Sequence, residues 1–236
     1  MLKPYYQNEL VKIYNADCRE VLPELDSVDL VLADPPYNVG KDYGDYNDSL
    51  PEEEYFNLMG EIVSLCREKA ENQAWVSPRH KLKLWLDLIP DCHIIIVRRG
   101  AQGPIRSGWS DQYGVVLTVG KPKKAVRDLW DDIRLKGEGY LFREETYGHE
   151  GYTPYPIMER CVKLLSSESV IDPFNGTGTS GIACMKLNRK YIGIELNEEY
   201  CEITAKRCEE TITGLTIAEQ EAGQLLLFDD RKKDDV

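Results

Sequence analysis

The sequence has 236 residues, 42% of them hydrophobic and 30% charged, a composition that allows one globular domain with a substantial core. Its apolar runs are short, its N-terminal segment lacks the apolar stretch of a signal peptide, and its seven scattered cysteines form no C-x-x-C pair. These features argue against a membrane span, a disulfide framework and a metal site and favour a cytoplasmic protein, while the net charge of -12 disfavours a uniformly basic surface.

The hydrophobic pattern predicts strands that alternate with helices along the chain. The predicted strands are Val11–Tyr14, Val28–Ala33, Ala74–Ser77, Ile94–Arg98, Val115–Val119, Val170–Pro173 and Tyr191–Glu195. The predicted helices are Arg19–Leu25, one that begins at Pro51, Lys81–Leu88, Ile157–Leu165, Thr179–Leu187 and Glu198–Thr211. This alternation indicates an α/β fold with a doubly wound sheet, in which ligands bind beyond the carboxyl ends of the strands.

A glycine-rich segment, DPFNGTGTSG at Asp172–Gly181, follows a predicted strand and opens a helix. Gly176, Gly178 and Gly181 fit the pattern G-x-G-x-x-G, in which glycines permit a tight turn and a close approach to a cofactor. Glu195 ends the next strand, where a carboxylate can accept hydrogen bonds from ribose hydroxyls. The pattern predicts a nucleotide-like cofactor; a nicotinamide or flavin site and a plain strand–helix turn are the alternatives.

A second segment, Asp34-Pro35-Pro36-Tyr37, directly follows the predicted strand Val28–Ala33. The amino group of a nucleic-acid base is a poor nucleophile, because its lone pair is delocalised into the ring. The Asp34 carboxylate and a carbonyl of the rigid Pro-Pro turn can each accept one N–H of such a group, and Tyr37 offers a flat face to an extruded base. The segment therefore predicts chemistry on an amine, the alternative being a stiff turn at the end of a strand.

Together the two segments resemble the DNA amino-methyltransferases over nearly the whole chain, and DPPY ahead of the glycine loop is similar to their permuted β group. The resemblance implies a Rossmann-like methyltransferase fold, with one antiparallel strand in a mostly parallel sheet, and direct methyl transfer from S-adenosyl-L-methionine without a metal. It makes Asp34, Pro35, Pro36 and Tyr37 catalytic. The cofactor-binding residues that it implies are Asp17, Cys18, Asp172, Phe174, Gly176, Gly178, Thr179, Glu195 and Asn197. His149 and Pro156 match a further segment of the family, in which Tyr155 replaces a usual lysine.

The resemblance also bears on the substrate. A leading Asp favours adenine N6, since cytosine-N4 enzymes more often begin with Ser; cytosine N4, RNA and a protein amide are the alternatives. A cytosine-C5 enzyme is disfavoured, because no proline of this chain is followed by a cysteine. A restriction–modification methylase without a nuclease function fits best, whereas a non-catalytic binding subunit and a nicotinamide oxidoreductase are readings from other classes.

The resemblance and its motif order make DNA the predicted partner, and the net charge is compatible with DNA because residues 79–127 carry ten Lys and Arg against three acidic residues. A solvated charged surface gives the same pattern. The candidate DNA-binding residues are Arg98, Arg99, Arg106, Lys121, Lys123, Lys124 and Arg134. We expect a catalytic domain over residues 1–212 with a target-recognition insertion at about 121–148, where Trp130 could reach a base. So short an insertion predicts a short target, a homodimer or loose specificity.

Residues 213–236 form a predicted tail. Its segment Gln224–Phe228, QLLLF, resembles the pentapeptide with which bacterial replication proteins dock on the sliding clamp. The alternative is that Leu225–Phe228 packs back on the domain.

Overall fold

The computed structural model describes residues 2–41, 46–98, 113–133 and 154–215. The strands of this part are Tyr6–Gln7 (β1), Val11–Asn15 (β2), Leu30–Ala33 (β3), Asn72–Ser77 (β4), His93–Arg98 (β5), Tyr113–Val119 (β6), Leu129–Trp130 (β7), Ser169–Asp172 (β8) and Lys190–Glu195 (β9). The helices are Cys18–Val21 (α1), Glu52–Lys69 (α2), Leu82–Leu88 (α3), Tyr155–Leu165 (α4), Thr179–Lys186 (α5) and Glu198–Thr213 (α6), and short 3-10 helices cover Leu22–Glu24 and Arg79–Lys81.

One sheet joins these strands in the order β1-β2-β9-β8-β3-β4-β6-β5-β7. All of them run in the same direction except β6, which is antiparallel to β4 and β5, and the two-residue β1 at the edge. The predicted α/β fold with a mostly parallel sheet is confirmed. β6 is the expected antiparallel strand, and β1 adds a second, short one.

Helices cover both faces of the sheet, because successive side chains of a strand point to opposite faces. Leu30 and Leu32 of β3 pack with the buried residues of α4, α5 and α6, whereas Val31 and Ala33 pack with those of α1, α2 and α3. All four of these β3 side chains are fully buried. A strand that is covered on both faces has a continuous apolar sequence, and this pattern predicted β3.

The centre of the sheet is the pair β3 and β8, which are far apart in the chain but lie side by side. Asp29, just before β3, accepts hydrogen bonds from the backbone N–H groups of Ser167, Glu168 and Ser169 and so holds the two strands together at their amino ends. The chain leaves β3 toward β4 and leaves β8 toward β9, on opposite sides. Such a reversal opens a crevice at the carboxyl ends of the two strands.

Every predicted strand and helix is present, with ends that shift by a few residues. Sequence patterns missed β1 and β7, whose two-residue lengths show no periodicity. Arg99, Arg106, Arg134, His149, Gln224–Phe228 and most of the 121–148 insertion lie outside the described residues. Within the described ranges, no helix is long and apolar enough to cross a membrane.

Candidate active site

A cavity of about 380 Å³ opens at the carboxyl ends of β2, β3, β8 and β9 and brings the two predicted segments together. Its volume lies in the range of small-molecule sites. The predicted site residues that line it are Asp17, Cys18, Asp34, Pro35, Pro36, Tyr37, Asp172, Phe174, Gly176, Thr179 and Glu195. The DPPY turn and the glycine loop meet there because each follows a strand of the central pair.

The DPPY turn directly follows β3 and is held by hydrogen bonds at three of its residues. The Tyr37 hydroxyl donates to Asp34 Oδ1 at 2.7 Å, and the Pro36 carbonyl accepts from the buried Tyr55 hydroxyl at 2.8 Å. Asp34 itself is half-buried. A carboxylate accepts several hydrogen bonds, so Asp34 can hold Tyr37 and still receive an N–H from a bound amine.

The polar loop after this turn is organised by one buried carboxylate. Asp48 is 2% exposed and accepts from the backbone N–H groups of Asn38, Val39 and Lys41 at 2.6, 3.0 and 3.0 Å. Asn38 exchanges two further hydrogen bonds with the backbone of Leu50. Asp48 therefore has a structural role in the described part of this loop, which its sequence position alone could not reveal.

The glycine loop needs the backbone freedom of Gly178, which has a φ of +83° just before α5. A Cβ at this position would lie 2.6 Å from Cγ2 of the buried Thr204. Asn175 donates from Nδ2 to Thr204 Oγ1 at 2.9 Å, which connects the loop to α6. Gly178 is thus required by conformation and packing, and it does not line the cavity.

Glu195 ends β9 and closes one side of the glycine loop. Its two carboxylate oxygens accept from the backbone N–H of Gly176 at 2.7 Å and from that of Asn197 at 2.9 Å. Asn197 caps α6 by accepting from the backbone N–H of Tyr200, and the cavity wall at this point is formed by Tyr200 rather than by Asn197. Of the predicted cofactor-binding residues, Gly178 and Asn197 are thus the two that do not line the cavity.

Asp17 and Cys18 line the cavity at the end of β2. Asp17 caps α1, and the Arg19 guanidinium beside it lowers the pKa of its carboxyl. Burial, followed by the nearby Asp17 charge, raises the pKa of the Cys18 thiol to about 12, so this thiol stays protonated at neutral pH. No cluster of three or more His, Cys, Asp and Glu side chains in the described ranges is arranged to hold a metal ion.

Asp172, at the end of β8, is a carboxyl group 1% exposed in the cavity wall. Burial raises its pKa to about 7, and the charge of Asp34 acts in the same direction. Hydrogen bonds from Ser180, from the backbone of Phe174 and from Tyr191 oppose this shift. The pKa of Asp172 is raised by Asp34 because the two carboxyls repel each other when both are ionised.

The Asp172→Asn variant is expected to lose a pH dependence that the wild type shows. A folded-state pKa above the unfolded value means that the native protein binds more protons, so stability present at low pH is lost as the pH rises through about 7. From pH 5 to pH 8 the wild-type free energy of unfolding should fall by about 3 kcal/mol relative to that of the variant. Urea unfolding of both proteins at the two pH values measures this difference, and parallel curves would contradict the assignment.

The described basic residues of the predicted DNA-binding set lie at opposite ends of the strands. Arg98 ends β5, is exposed, and pairs with Tyr113 on the side where the parallel strands have their carboxyl ends, which is the side of the cavity. Lys121, Lys123 and Lys124 follow the end of the antiparallel β6, which places them on the side where the parallel strands have their amino ends. Lys123 there donates from its backbone to Leu164 and from its ammonium to the Ser166 carbonyl.

Two aromatic residues of interest in the sequence are core residues. Trp130 is 2% exposed, with the Arg160 guanidinium 5.3 Å from its ring centroid, so it anchors β7 rather than reaching a base. Tyr155 and Pro156 are buried at the start of α4, with Lys186 Nζ 5.1 Å from the Tyr155 ring centroid, and neither lines the cavity.

Part of the cavity wall was not predicted from the sequence. The missed lining residues are Ala16, Arg19, Tyr46, Leu58, Met59, Ile62, Met158, Pro173, Asn175, Thr177, Ser180, Ile194, Leu196 and Tyr200. Leu58, Met59 and Ile62 share one face of α2. Apolar residues at this helical spacing predict packing in the hydrophobic core and do not indicate a cavity wall. Asn175, Thr177 and Ser180 belong to the glycine loop, and their place in that loop was a usable signal.

The fold is similar to those of solved DNA methyltransferases. The cytosine-N4-specific PvuII DNA methyltransferase superposes with a TM-score of 0.68 at 16% identity, over 86% of this chain and 88% of that one. M1.HpyAVI, solved as a complex with S-adenosylmethionine, gives a TM-score of 0.62 at 23% identity, over 84% and 99% of the two chains. The fold is therefore that of the S-adenosylmethionine-dependent DNA methyltransferases.

Sequence similarity narrows this class to a family. Residues 28–83 and 106–206 match the DNA methylase family of N6 and N4 methyltransferases. The type II methyltransferase M.HpaI of Haemophilus parainfluenzae is 30% identical in an alignment that covers 81% of this chain and 71% of that protein. The DNA adenine methyltransferase YhdJ of Escherichia coli K12 is 23% identical in an alignment that covers 86% of this chain and 84% of that protein. This chain belongs to the DNA methylase family of N6-adenine and N4-cytosine methyltransferases.

Proposed function

We propose that the chain transfers a methyl group from S-adenosyl-L-methionine to the exocyclic amine of a base flipped out of DNA, with adenine N6 as the target. The observation that carries this proposal is the shared cavity, into which both the Asp34–Tyr37 turn and the glycine loop with Glu195 open. A methyl donor and an acceptor amine need such a common space for direct transfer.

The chemistry of the cavity wall fits the methyl donor. Glu195 offers acceptor oxygens to the ribose hydroxyls of S-adenosyl-L-methionine, and Asp17 and Cys18 would contact its adenine ring. The carboxyls of Asp34 and Asp172 favour a positive charge near the glycine loop. When bound there, S-adenosyl-L-methionine would supply an electrophilic methyl group on a sulfonium. Phe174, Gly176 and Thr179 complete the proposed contacts.

The DPPY turn would prepare the amine. Asp34 accepts one N–H and the Pro35 carbonyl accepts the other, which draws the nitrogen toward tetrahedral geometry and frees its lone pair. The Tyr37 ring stacks on the flipped base, while its hydroxyl, 2.7 Å from Asp34 Oδ1, keeps the carboxylate oriented. Water exclusion by the base strengthens these hydrogen bonds.

Two considerations support adenine over cytosine. The turn begins with Asp34, as in the adenine enzymes that the chain resembles, and YhdJ is an adenine methyltransferase by name. The cytosine-N4-specific PvuII enzyme shares the fold and keeps cytosine as the second candidate.

Incubation with methyl-labelled S-adenosylmethionine and either DNA or RNA, followed by nucleoside analysis, tests the proposal. Label in N6-methyladenine from DNA supports it, label in N4-methylcytosine favours the second candidate, and label only in RNA overturns both.

We further propose that Arg98, at the carboxyl end of β5 and so on the same side of the sheet as the cavity, contacts a DNA phosphate, whereas the lysines on the opposite side do not. Arg98→Ala should weaken DNA binding about fivefold at moderate salt and reduce the slope of log affinity against log salt by about 1. Lys124→Ala is the matched control and should change DNA affinity by less than about twofold. Fluorescence anisotropy over a salt series measures both. Equal losses of DNA affinity in the two variants would contradict the proposal that Arg98 contacts DNA and Lys124 does not.

A further inference from the structure

Tyr55, in the first turn of α2, connects this helix to the DPPY turn. Its side chain is fully buried, and its hydroxyl donates to the Pro36 carbonyl at 2.8 Å. A buried phenol hydroxyl needs a hydrogen-bond partner, and the carbonyl of the half-buried Pro36 supplies it. The Pro36 carbonyl belongs to the peptide bond that leads to Tyr37, so this hydrogen bond restrains the backbone on which the Tyr37 ring is mounted.

The ring of Tyr55 is itself held in place from the side of β4. Lys81, in the 3-10 helix after β4, has its ammonium 5.4 Å from the Tyr55 ring centroid and 3.7 Å from Glu52 Oε2. Tyr55 thus lies between the turns that follow the neighbouring strands β3 and β4. Tyr55 does not line the cavity, so it acts on the DPPY turn from behind.

We propose that Tyr55 is a positioning residue for methyl transfer: its hydroxyl fixes the Pro36 carbonyl and thereby the orientation of the Asp34–Tyr37 turn toward the acceptor amine. The proposal rests on the function proposed above. Direct transfer is sensitive to small displacements of the reacting groups, because the geometry must be in place before reaction. The contacts proposed for the cofactor come from the glycine loop, Glu195 and Asp17, whereas the Tyr55 hydroxyl donates to the DPPY turn. Removal of the Tyr55 hydroxyl should therefore lower the rate of methyl transfer and leave the affinity for the cofactor unchanged.

The test compares Tyr55→Phe with Tyr6→Phe. Tyr6 is a matched control, because its hydroxyl donates to Glu209 at 2.6 Å at the far edge of the sheet. With the full chain and saturating S-adenosylmethionine and DNA, Tyr55→Phe should lower the single-turnover rate of methyl transfer about tenfold, since one oriented hydrogen bond is lost. Its Kd for S-adenosylhomocysteine and its KM for DNA should change by less than about twofold, as should every parameter of Tyr6→Phe.

Each other outcome counts against the positioning role. A rate within about twofold of wild type overturns it, and so does a rate loss matched by an equal loss of S-adenosylhomocysteine affinity, because a general structural defect has that signature. If the wild-type chain transfers no methyl group to DNA while binding S-adenosylhomocysteine, the proposed function fails and the role of Tyr55 fails with it. Thermal unfolding of both variants verifies that they are folded at the assay temperature.

Discussion

Asp34→Ala should abolish methyl transfer, with a rate roughly 10³-fold below that of wild type, while the Kd for S-adenosylhomocysteine stays within about threefold. In the proposed function the carboxylate acts on the amine, whereas the cofactor's nucleoside would be held by the other wall of the cavity. Removing it leaves the lone pair of the amine delocalised and leaves the Tyr37 hydroxyl without its 2.7 Å acceptor. Single-turnover transfer of a labelled methyl group to DNA and calorimetric titration measure the two quantities.

Asp34→Asn provides the graded control for this prediction. The amide keeps one acceptor oxygen and the shape of the side chain but loses the negative charge, so its activity should lie between those of wild type and Asp34→Ala. An Asp34→Ala enzyme whose rate stays within about tenfold of wild type would contradict the assignment of Asp34 as the catalytic acceptor.

Gly178→Ala should damage both stability and cofactor binding. Its φ of +83° disfavours any residue with a Cβ, and that Cβ would meet Thr204 Cγ2 at 2.6 Å and Oγ1 at 2.8 Å. Thr204 is fully buried and bonded to Asn175, so it cannot move without disturbing the glycine loop. We expect the free energy of unfolding to fall by about 3 kcal/mol and the affinity for S-adenosylhomocysteine to fall more than about tenfold.

Gly214→Ala separates the cost of a positive φ from the cost of the contact with Thr204. Gly214 has a similar φ of +73°, but an added Cβ there meets nothing within 4 Å. This variant should lose only about 1 kcal/mol of stability, the conformational part, and keep its cofactor affinity. Urea unfolding and calorimetry on the two variants measure the contrast. Similar losses in both would mean that the contact with Thr204 contributes nothing.

The fold was largely predictable because its strands and helices carry strong local patterns. β3 is buried on both faces and therefore appears as an unbroken apolar run, and α2 begins where Pro51 and three glutamates mark a helix start. The pairing of β3 with β8 has no local signal, since the two strands are distant in the chain. The meeting of the DPPY turn and the glycine loop was therefore expected from family resemblance and not from periodicity.

The positions that sequence could not assign depend on strand direction and on single hydrogen bonds. Lys121, Lys123 and Lys124 share a basic segment with Arg98, yet the reversed direction of β6 places them at the opposite ends of the strands. Counting charges along a chain cannot detect such a reversal. Asp48 and Tyr55 owe their roles to backbone groups that come within reach only when the loop and the turn adopt their folded shapes.

If this chain methylates an exocyclic amine at defined sites in DNA, as we propose, a map of the modified bases will show it. Mixed-sequence DNA treated with the protein and S-adenosylmethionine would be sequenced by a method that reports base modification, with Asp34→Ala protein as the control. We expect N6-methyladenine at one short recurring sequence in the wild-type sample alone. Unmodified DNA would contradict the proposed methyltransferase function, and modification that persists with Asp34→Ala would contradict the role of Asp34.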